Sequence, residues 1–139
     1  MAATPAFELT RRLEFSAAHR LWNAAFTPEK NRAVFGVCAN RHGHNYVLEV
    51  TVRGPIDPAT GMVLDLNWMA TRLHELVFAD VDHKDLDVDV PWLAGRPSTA
   101  ENVVAAMWER LAPHFEGRLW RLRLYESAAN IVDYHGPSR

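Results

Sequence analysis

Cys38, the only cysteine of the chain, stands four residues before a His42-Gly-His44 pair that runs straight into a strand-like stretch. Imidazoles on alternate residues of a strand point the same way, roughly 7 Å apart at the backbone. Two nitrogens converging from one face make half of a zinc site. A closed structural site asks for four protein ligands, usually several of them thiolates, and a single cysteine rules that out. Three histidines with an open fourth position remain, which is the arrangement of a catalytic metal. The third histidine is drawn from His19, His74, His83, His114 and His135. His19 is the best placed, because it ends the first strand and can lie beside the second in a hairpin-like pair. His74 and His114 fall within helical stretches.

A lone thiol near such a site can serve as ligand, nucleophile or base. Cys38 sits among Asn and Arg, where a thiolate is stabilised and exposed, although free cysteines are more often small buried hydrophobes. Asp82-His83 offers an acid–histidine pair able to orient an imidazole for proton transfer, and its plain alternative is a solvated loop between helices. Glu126 follows Trp120, Leu122 and Leu124 at even spacing, so parity puts its carboxylate on the apolar face of that strand. A carboxylate there needs a partner, such as a ligand carrying paired N–H donors; otherwise the strand end must turn to solvent.

The elements that must position these groups follow from periodicity. Phe7, Leu9, Leu13 and Phe15 alternate with polar residues in a half-buried strand that leads to His19. A polar, irregular stretch containing Pro28 and Gly36 follows. A second strand runs from His44 to Arg53 with His44, Tyr46, Leu48, Val50 and Val52 on one face. The turn-rich run 54–61 connects it to a short continuation through Val63 and Leu64. Asp65 caps a helix whose stripe is Leu66, Met69, Leu73, Leu76 and Val77, ending by Asp80. Residues 82–87 form a polar connection. Ser98-x-x-Glu101 reads as the capping box of a second helix striped by Val103, Val104, Met107 and Leu111, and Pro113 stops it. Leu119 to Glu126 and Asn130 to His135 are the closing strands. The prediction is an α+β domain spanning residues 1–139, a four-stranded antiparallel sheet with two helices on one face in the order ββααββ. Exposed strand edges favour oligomerisation.

Bulk properties limit the function classes. With 139 residues, 48% hydrophobic, 23% charged and a formal net charge of −2, the chain fits one soluble domain. The charge balance gives no case for nucleic acid or a membrane surface as partner. Residues 1–6 lack the features of a signal peptide, and one cysteine cannot form an internal disulfide, which suits a reducing cytoplasm.

The motifs Phe15-Ser-Ala-Ala-His-Arg-Leu21, His42-Gly-His-Asn-Tyr46, Asp57-Pro-Ala-Thr-Gly-Met-Val63, Asp82-His-Lys-Asp-Leu-Asp87, Ser98-Thr-Ala-Glu-Asn102 and Tyr125-Glu126 occur in that order. Together they resemble the 6-pyruvoyl-tetrahydropterin synthases and their bacterial relatives, the 6-carboxytetrahydropterin synthases of queuosine biosynthesis. The resemblance implies the tunnelling fold, in which three subunits close a barrel, two trimers stack as a hexamer, and active sites lie between subunits. It implies Zn2+ held by His19, His42 and His44, a catalytic triad of Cys38, Asp82 and His83 with the thiolate as base, and Glu126 and Thr99 binding the pterin.

The implied substrate is 7,8-dihydroneopterin triphosphate, with Arg20, Arg41 and Lys84 as candidate phosphate contacts. The implied reaction is elimination of triphosphate to give 6-pyruvoyl-tetrahydropterin. The alternative is cleavage of the side chain to acetaldehyde, leaving a 6-carboxyl. Animal pyruvoyl enzymes have a longer insert before His-Gly-His than Ala39-Asn-Arg41, which is closer to the queuosine type. The His-Gly-His-Asn-Tyr and Asp57–Val63 runs read as the pyruvoyl type, which is preferred. A non-catalytic zinc- and pterin-binding oligomeric module is the rival from another class, and it has no need of Cys38, Asp82 and His83 together.

Overall fold

Two long strands carry the molecule: β1 (Phe7–His19) and β2 (His42–Gly54) pair antiparallel along their whole lengths. The computed structural model describes residues 4–138. The outermost residues of the 1–139 domain, and half of the N-terminal segment read for a signal peptide, lie outside that range. The alternation predicted for β2 holds: Tyr46, Leu48, Val50 and Val52 are each 0% exposed and form the floor of the core. β4 (Leu119–Tyr125) adds to the other edge of β2, and β5 (Ile131–Tyr134) pairs with β4.

The sheet differs from the four-stranded antiparallel prediction. It has five strands in the order β3-β1-β2-β4-β5, and β3 (Lys84–Asp85) lies parallel to β1, so the sheet is mixed. Two residues are too few for a periodic signal, and the run 82–87 looked in sequence like a polar connection. Val63 and Leu64 lie in a bend rather than a strand, although Val63 is buried.

The helical layer also departs from a simple pair. α1 (Pro28–Phe35) occupies the stretch expected to be irregular, with Thr27 accepting from the Lys30 N–H as its N-cap and Pro28 at its start. Its buried residue is Asn31, which bonds the backbone of Asn23 and Thr27, so no apolar stripe announced it. α2 (Leu66–Leu73) is capped by Asp65 as predicted. It continues through a π turn (His74–Phe78) into one last turn, α3 (Ala79–Val81). Met69, Leu73, Val77 and Val81 are all buried at four-residue intervals. An α-helix turns every 3.6 residues, so such a repeat drifts off the core, and the wider π turn takes up the drift. Leu66, expected on the stripe, is 47% exposed.

α4 (Ala100–Leu111) buries Val103, Val104, Met107 and Leu111 as predicted, but its N-cap is Thr99, which accepts from the Asn102 N–H. Ser98 faces inward instead. Among the described residues no helix is long and apolar enough to cross a membrane.

One bulge matters for parity. Val52 pairs with Leu119 while Thr51 pairs with Arg121, leaving Trp120 as the extra residue of β4. Leu119 therefore faces the core and Trp120 is half-exposed, against the prediction, while Leu122 and Leu124 remain buried.

Candidate active site

The end of β1 and the start of β2 form a ribbon in which His19 lies directly opposite His42 and Ala17 opposite His44. Cross-strand neighbours and alternate residues share a face, so three imidazoles converge there. One ligand atom from each of His19, His42 and His44 lies within 4.8 Å of the others. The ring centroids are 4.6–5.2 Å apart. Gly43, between the two ligands of β2, has no Cβ to press on the Ala17 carbonyl, which would lie 3.3 Å away.

The hydrogen bonds orient the cluster. His19 Nδ1 donates to the Ser98 carbonyl at 2.9 Å and His42 Nδ1 donates to the Asn40 carbonyl at 2.6 Å. A carbonyl only accepts, so both rings carry their proton on Nδ1 and present the Nε2 lone pair. His44 Nε2 is buried with no hydrogen-bond partner. Burial also holds the His19 pKa below its ordinary value, partly opposed by the Ser98 bond, which keeps the ring neutral. Three converging imidazoles, two of them fixed by backbone carbonyls and the third with an orphaned buried nitrogen, are the donor set of a divalent metal with an open coordination position. The residues present fit the group.

Glu126 lies at the rim of this cluster. Its N–H bonds the Asn130 carbonyl in the β4–β5 turn, and its carboxylate reaches to 3.9 Å from His44 Nε2. The apolar row of β4 thus delivers a half-buried carboxylate beside the histidines instead of turning it to solvent. Thr99 stands next to Ser98, which touches His19, and its hydroxyl is engaged in capping α4. Tyr46 sits beneath, fully buried, stacked on Phe15, with its hydroxyl 3.4 Å from His19 Nε2; burial raises its pKa and keeps it a phenol.

Asp82 and His83 are built differently. The Asp82 carboxylate accepts from the Ser16 N–H at 3.0 Å and bonds His83 Nδ1 at 2.9 Å. The Ser16 bond, then the His83 side chain, hold its pKa below the usual carboxylate range. His83 has φ of 59°, a left-handed conformation uncommon outside glycine, and its side chain is 81% exposed. Its N–H bonds the Ser16 carbonyl at 2.6 Å. The Ser16 bonds hold this backbone conformation while the ring stands in the open. This pair lines a cleft with Glu14, Phe15, Ser16 and Asn45.

Cys38 is on the short 3-10 turn Gly36–Ala39 that follows α1, half-buried, with its carbonyl accepting from the Leu21 N–H. It does not line the cleft of Asp82 and His83. The chain brings the three histidines and Glu126 together, but among the described residues no hydrogen bond or shared cleft joins Cys38, tied to Leu21, with Asp82 and His83, tied to Ser16. A second cleft of about 570 Å3 next to the histidines is lined by Arg20, Arg41, Arg96, Trp22 and Asp87; Lys84 is not part of it. Nothing in the sequence marks Asp87 and Ser98 as partners of the histidines: Ser98 fits a helix-capping pattern, and Asp87 is one of several aspartates in its run.

A family model described as 6-pyruvoyl tetrahydropterin synthase matches residues 8–137. The chain belongs to this family. It is 45% identical to the 6-pyruvoyl tetrahydrobiopterin synthase of Pongo abelii over 132 residues, covering 93% of this chain and 91% of that one. The solved structure of the Caenorhabditis elegans 6-pyruvoyl tetrahydropterin synthase superposes with a TM-score of 0.91 at 38% identity, covering 99% of this chain and all of that one. A 6-carboxy-5,6,7,8-tetrahydropterin synthase of Aquifex aeolicus is 34% identical over 104 residues, 68% of this chain and 62% of that one.

Proposed function

We propose that the chain is a zinc-dependent lyase that converts 7,8-dihydroneopterin triphosphate to 6-pyruvoyl-tetrahydropterin with elimination of triphosphate. The observation that carries this reading is the three-histidine cluster with its orphaned Nε2 beside the Glu126 carboxylate. His19, His42 and His44 would hold the zinc, which when bound supplies Lewis acidity toward the side-chain hydroxyls of the substrate. Glu126 accepts paired N–H donors from the amino-pyrimidine edge, a charge-assisted interaction that fixes the ring, and Thr99 borders the same space.

The Cys38 thiolate takes a proton from the side-chain carbon, and His83, oriented by Asp82, moves protons as the side chain tautomerises. Two hydrogens pass from side chain to ring and triphosphate leaves, so no external reductant is needed. Arg20 and Arg41 in the adjoining cleft suit the triphosphate, with Arg96 beside them.

Cys38 stands apart from Asp82 and His83 within one chain, which supports an active site completed between copies. Among the described residues β5 and most of β1 have no partner strand on their outer edges, where the sheet can continue into a neighbour. A hexamer built as two stacked trimers is the assembly we propose, in a reducing cytoplasm that keeps the thiol free.

The short Ala39–Arg41 spacing favours a second reading, 6-carboxytetrahydropterin with release of acetaldehyde. Incubating the zinc-loaded protein with 7,8-dihydroneopterin triphosphate and identifying products by mass spectrometry tests both. The expected result is triphosphate with 6-pyruvoyl-tetrahydropterin. Acetaldehyde with a 6-carboxyl product selects the second reading, and absence of triphosphate release overturns the enzyme.

A further inference from the structure

The run from Asp82 to Asp87 is held along the edge of β1 at four points. The Ser16 N–H donates to the Asp82 carboxylate, the His83 N–H to the Ser16 carbonyl, the Leu86 N–H to the Ala18 carbonyl at 2.8 Å, and the Arg20 N–H to Asp87 Oδ2 at 2.9 Å. Leu86, 1% exposed, pins the run into the core. One end of this strap presents His83. The other end brings Asp87 to the back of the histidine cluster.

There Asp87 Oδ1 accepts the Ser98 hydroxyl at 2.5 Å, and Ser98 is 2% exposed. The Arg20 carbonyl is a competing acceptor at 3.3 Å, and the shorter, charged partner prevails. With its proton turned to Asp87, the Ser98 oxygen offers a lone pair to the His19 N–H, with Nδ1 at 3.3 Å, while the Ser98 carbonyl takes the same N–H. A carboxylate, a hydroxyl and an imidazole are thus linked in series, with His19 Nε2 facing the cluster. Arg41 Nη1, whose shorter partner is Asp85 Oδ2 at 2.6 Å, also meets Asp87 Oδ2 at 3.3 Å, and Arg41 leads directly into His42.

We propose that Asp87 is a positioning residue for the metal: through the Ser98 hydroxyl it holds the ring of His19, and together with Asp85 it holds Arg41 at the start of β2 against the end of β1. This rests on the reading of His19, His42 and His44 as the metal ligands. Partners behind a metal-bound imidazole set its orientation and donor strength, and their loss typically weakens metal binding about 10–100-fold. Asp87→Asn keeps the shape and an accepting oxygen but removes the charge. Ser98→Ala keeps the carbonyl bond to His19 and removes the hydroxyl link.

The test measures zinc affinity by competition with a chromophoric chelator, and the visible spectrum of the Co2+-substituted protein, for wild type, Asp87→Asn, Ser98→Ala and Ser98→Thr. The expected result is an affinity about 10–100-fold weaker with shifted cobalt bands in the first two variants, and near wild-type behaviour in Ser98→Thr. If Ser98→Ala fails to fold, the near-isosteric Asp87→Asn decides. Wild-type affinity and an unchanged cobalt spectrum in Asp87→Asn overturn the proposal. So does a lower melting point of the metal-free Asp87→Asn variant with the cobalt spectrum intact, which marks Asp87 as merely structural. A wild-type protein that takes up no metal overturns the metal reading itself, and is recognised without any variant.

Discussion

The histidine cluster and the Cys38–Asp82–His83 set are opposite kinds of site within one chain. The cluster is drawn from two paired strands, floored by buried Tyr46 and oriented by backbone carbonyls, so its geometry is rigid and local. The other set is split between a turn after α1 and a strap at the sheet edge, and His83 stands almost fully in the open. Metal binding needs fixed donors, which a β-ribbon supplies by register. On the proposed function, proton transfer needs groups that meet the substrate, and the exposed His83 ring stands at a surface where substrate or another copy of the chain would complete the constellation.

The contrast is broken most directly at His42. His42→Ala should abolish stoichiometric zinc and turnover together, read by elemental analysis and product assay. Full metal content in that variant would mean the ligand set is wrong.

Next comes Cys38→Ala, which should keep its zinc and lose about 10²–10⁴-fold in turnover, the usual scale of acid–base catalysis. Loss of metal would recast Cys38 as a ligand and erase the distinction between the two regions. Mixing subunits of Cys38→Ala and His83→Ala should restore part of the activity, since one composite site then carries both intact groups. No recovery in demonstrably mixed oligomers would place the triad in a single chain.

Glu126→Gln should leave zinc in place and weaken pterin binding. A hydrogen bond to a charged group is worth about 1.5–3 kcal/mol, or roughly 10–150-fold. Equilibrium binding of a pterin analogue to the variant reads this directly, and unchanged affinity would remove Glu126 from the binding role.

The smallest effect is in acid. The Asp82 pKa is lower folded than unfolded, so its contribution to stability is complete above the ordinary carboxylate pKa of about 3.9 and is lost as pH falls through the folded value. Asp82→Asn should therefore flatten the acid limb of a denaturation-against-pH curve below about pH 4 and slightly lower the neutral melting point, where the carboxylate's contribution is complete. An identical acid limb would show that the Ser16 bond contributes nothing.

Much of this was readable from residue order because strand periodicity is strict. Tyr46, Leu48, Val50 and Val52 had to share a face, and His42 and His44 had to share the same one. Asp65 announced α2 as a cap. Legibility failed wherever a local rule met a tertiary demand. Ser98 satisfied a capping pattern yet turned inward to Asp87 and His19, leaving the cap to Thr99. Trp120 kept the parity of an unbroken strand until a bulge moved it out. α1 buried an asparagine instead of an apolar stripe, and β3 was too short to have a period.

The sequence by itself determined the pair of imidazoles on one strand face, the best-placed third histidine, the apolar rows of the sheet and the family motifs. Each depends on spacing along one element, and spacing survives in the order of residues. Only the tertiary structure decided that Asp82–Asp87 is a strap on β1 and that Asp87 reaches His19 through Ser98. It also decided that Cys38 stands apart from His83. Those relations join segments many residues apart, and which partner a hydroxyl or carboxylate takes depends on what the folded core leaves within reach.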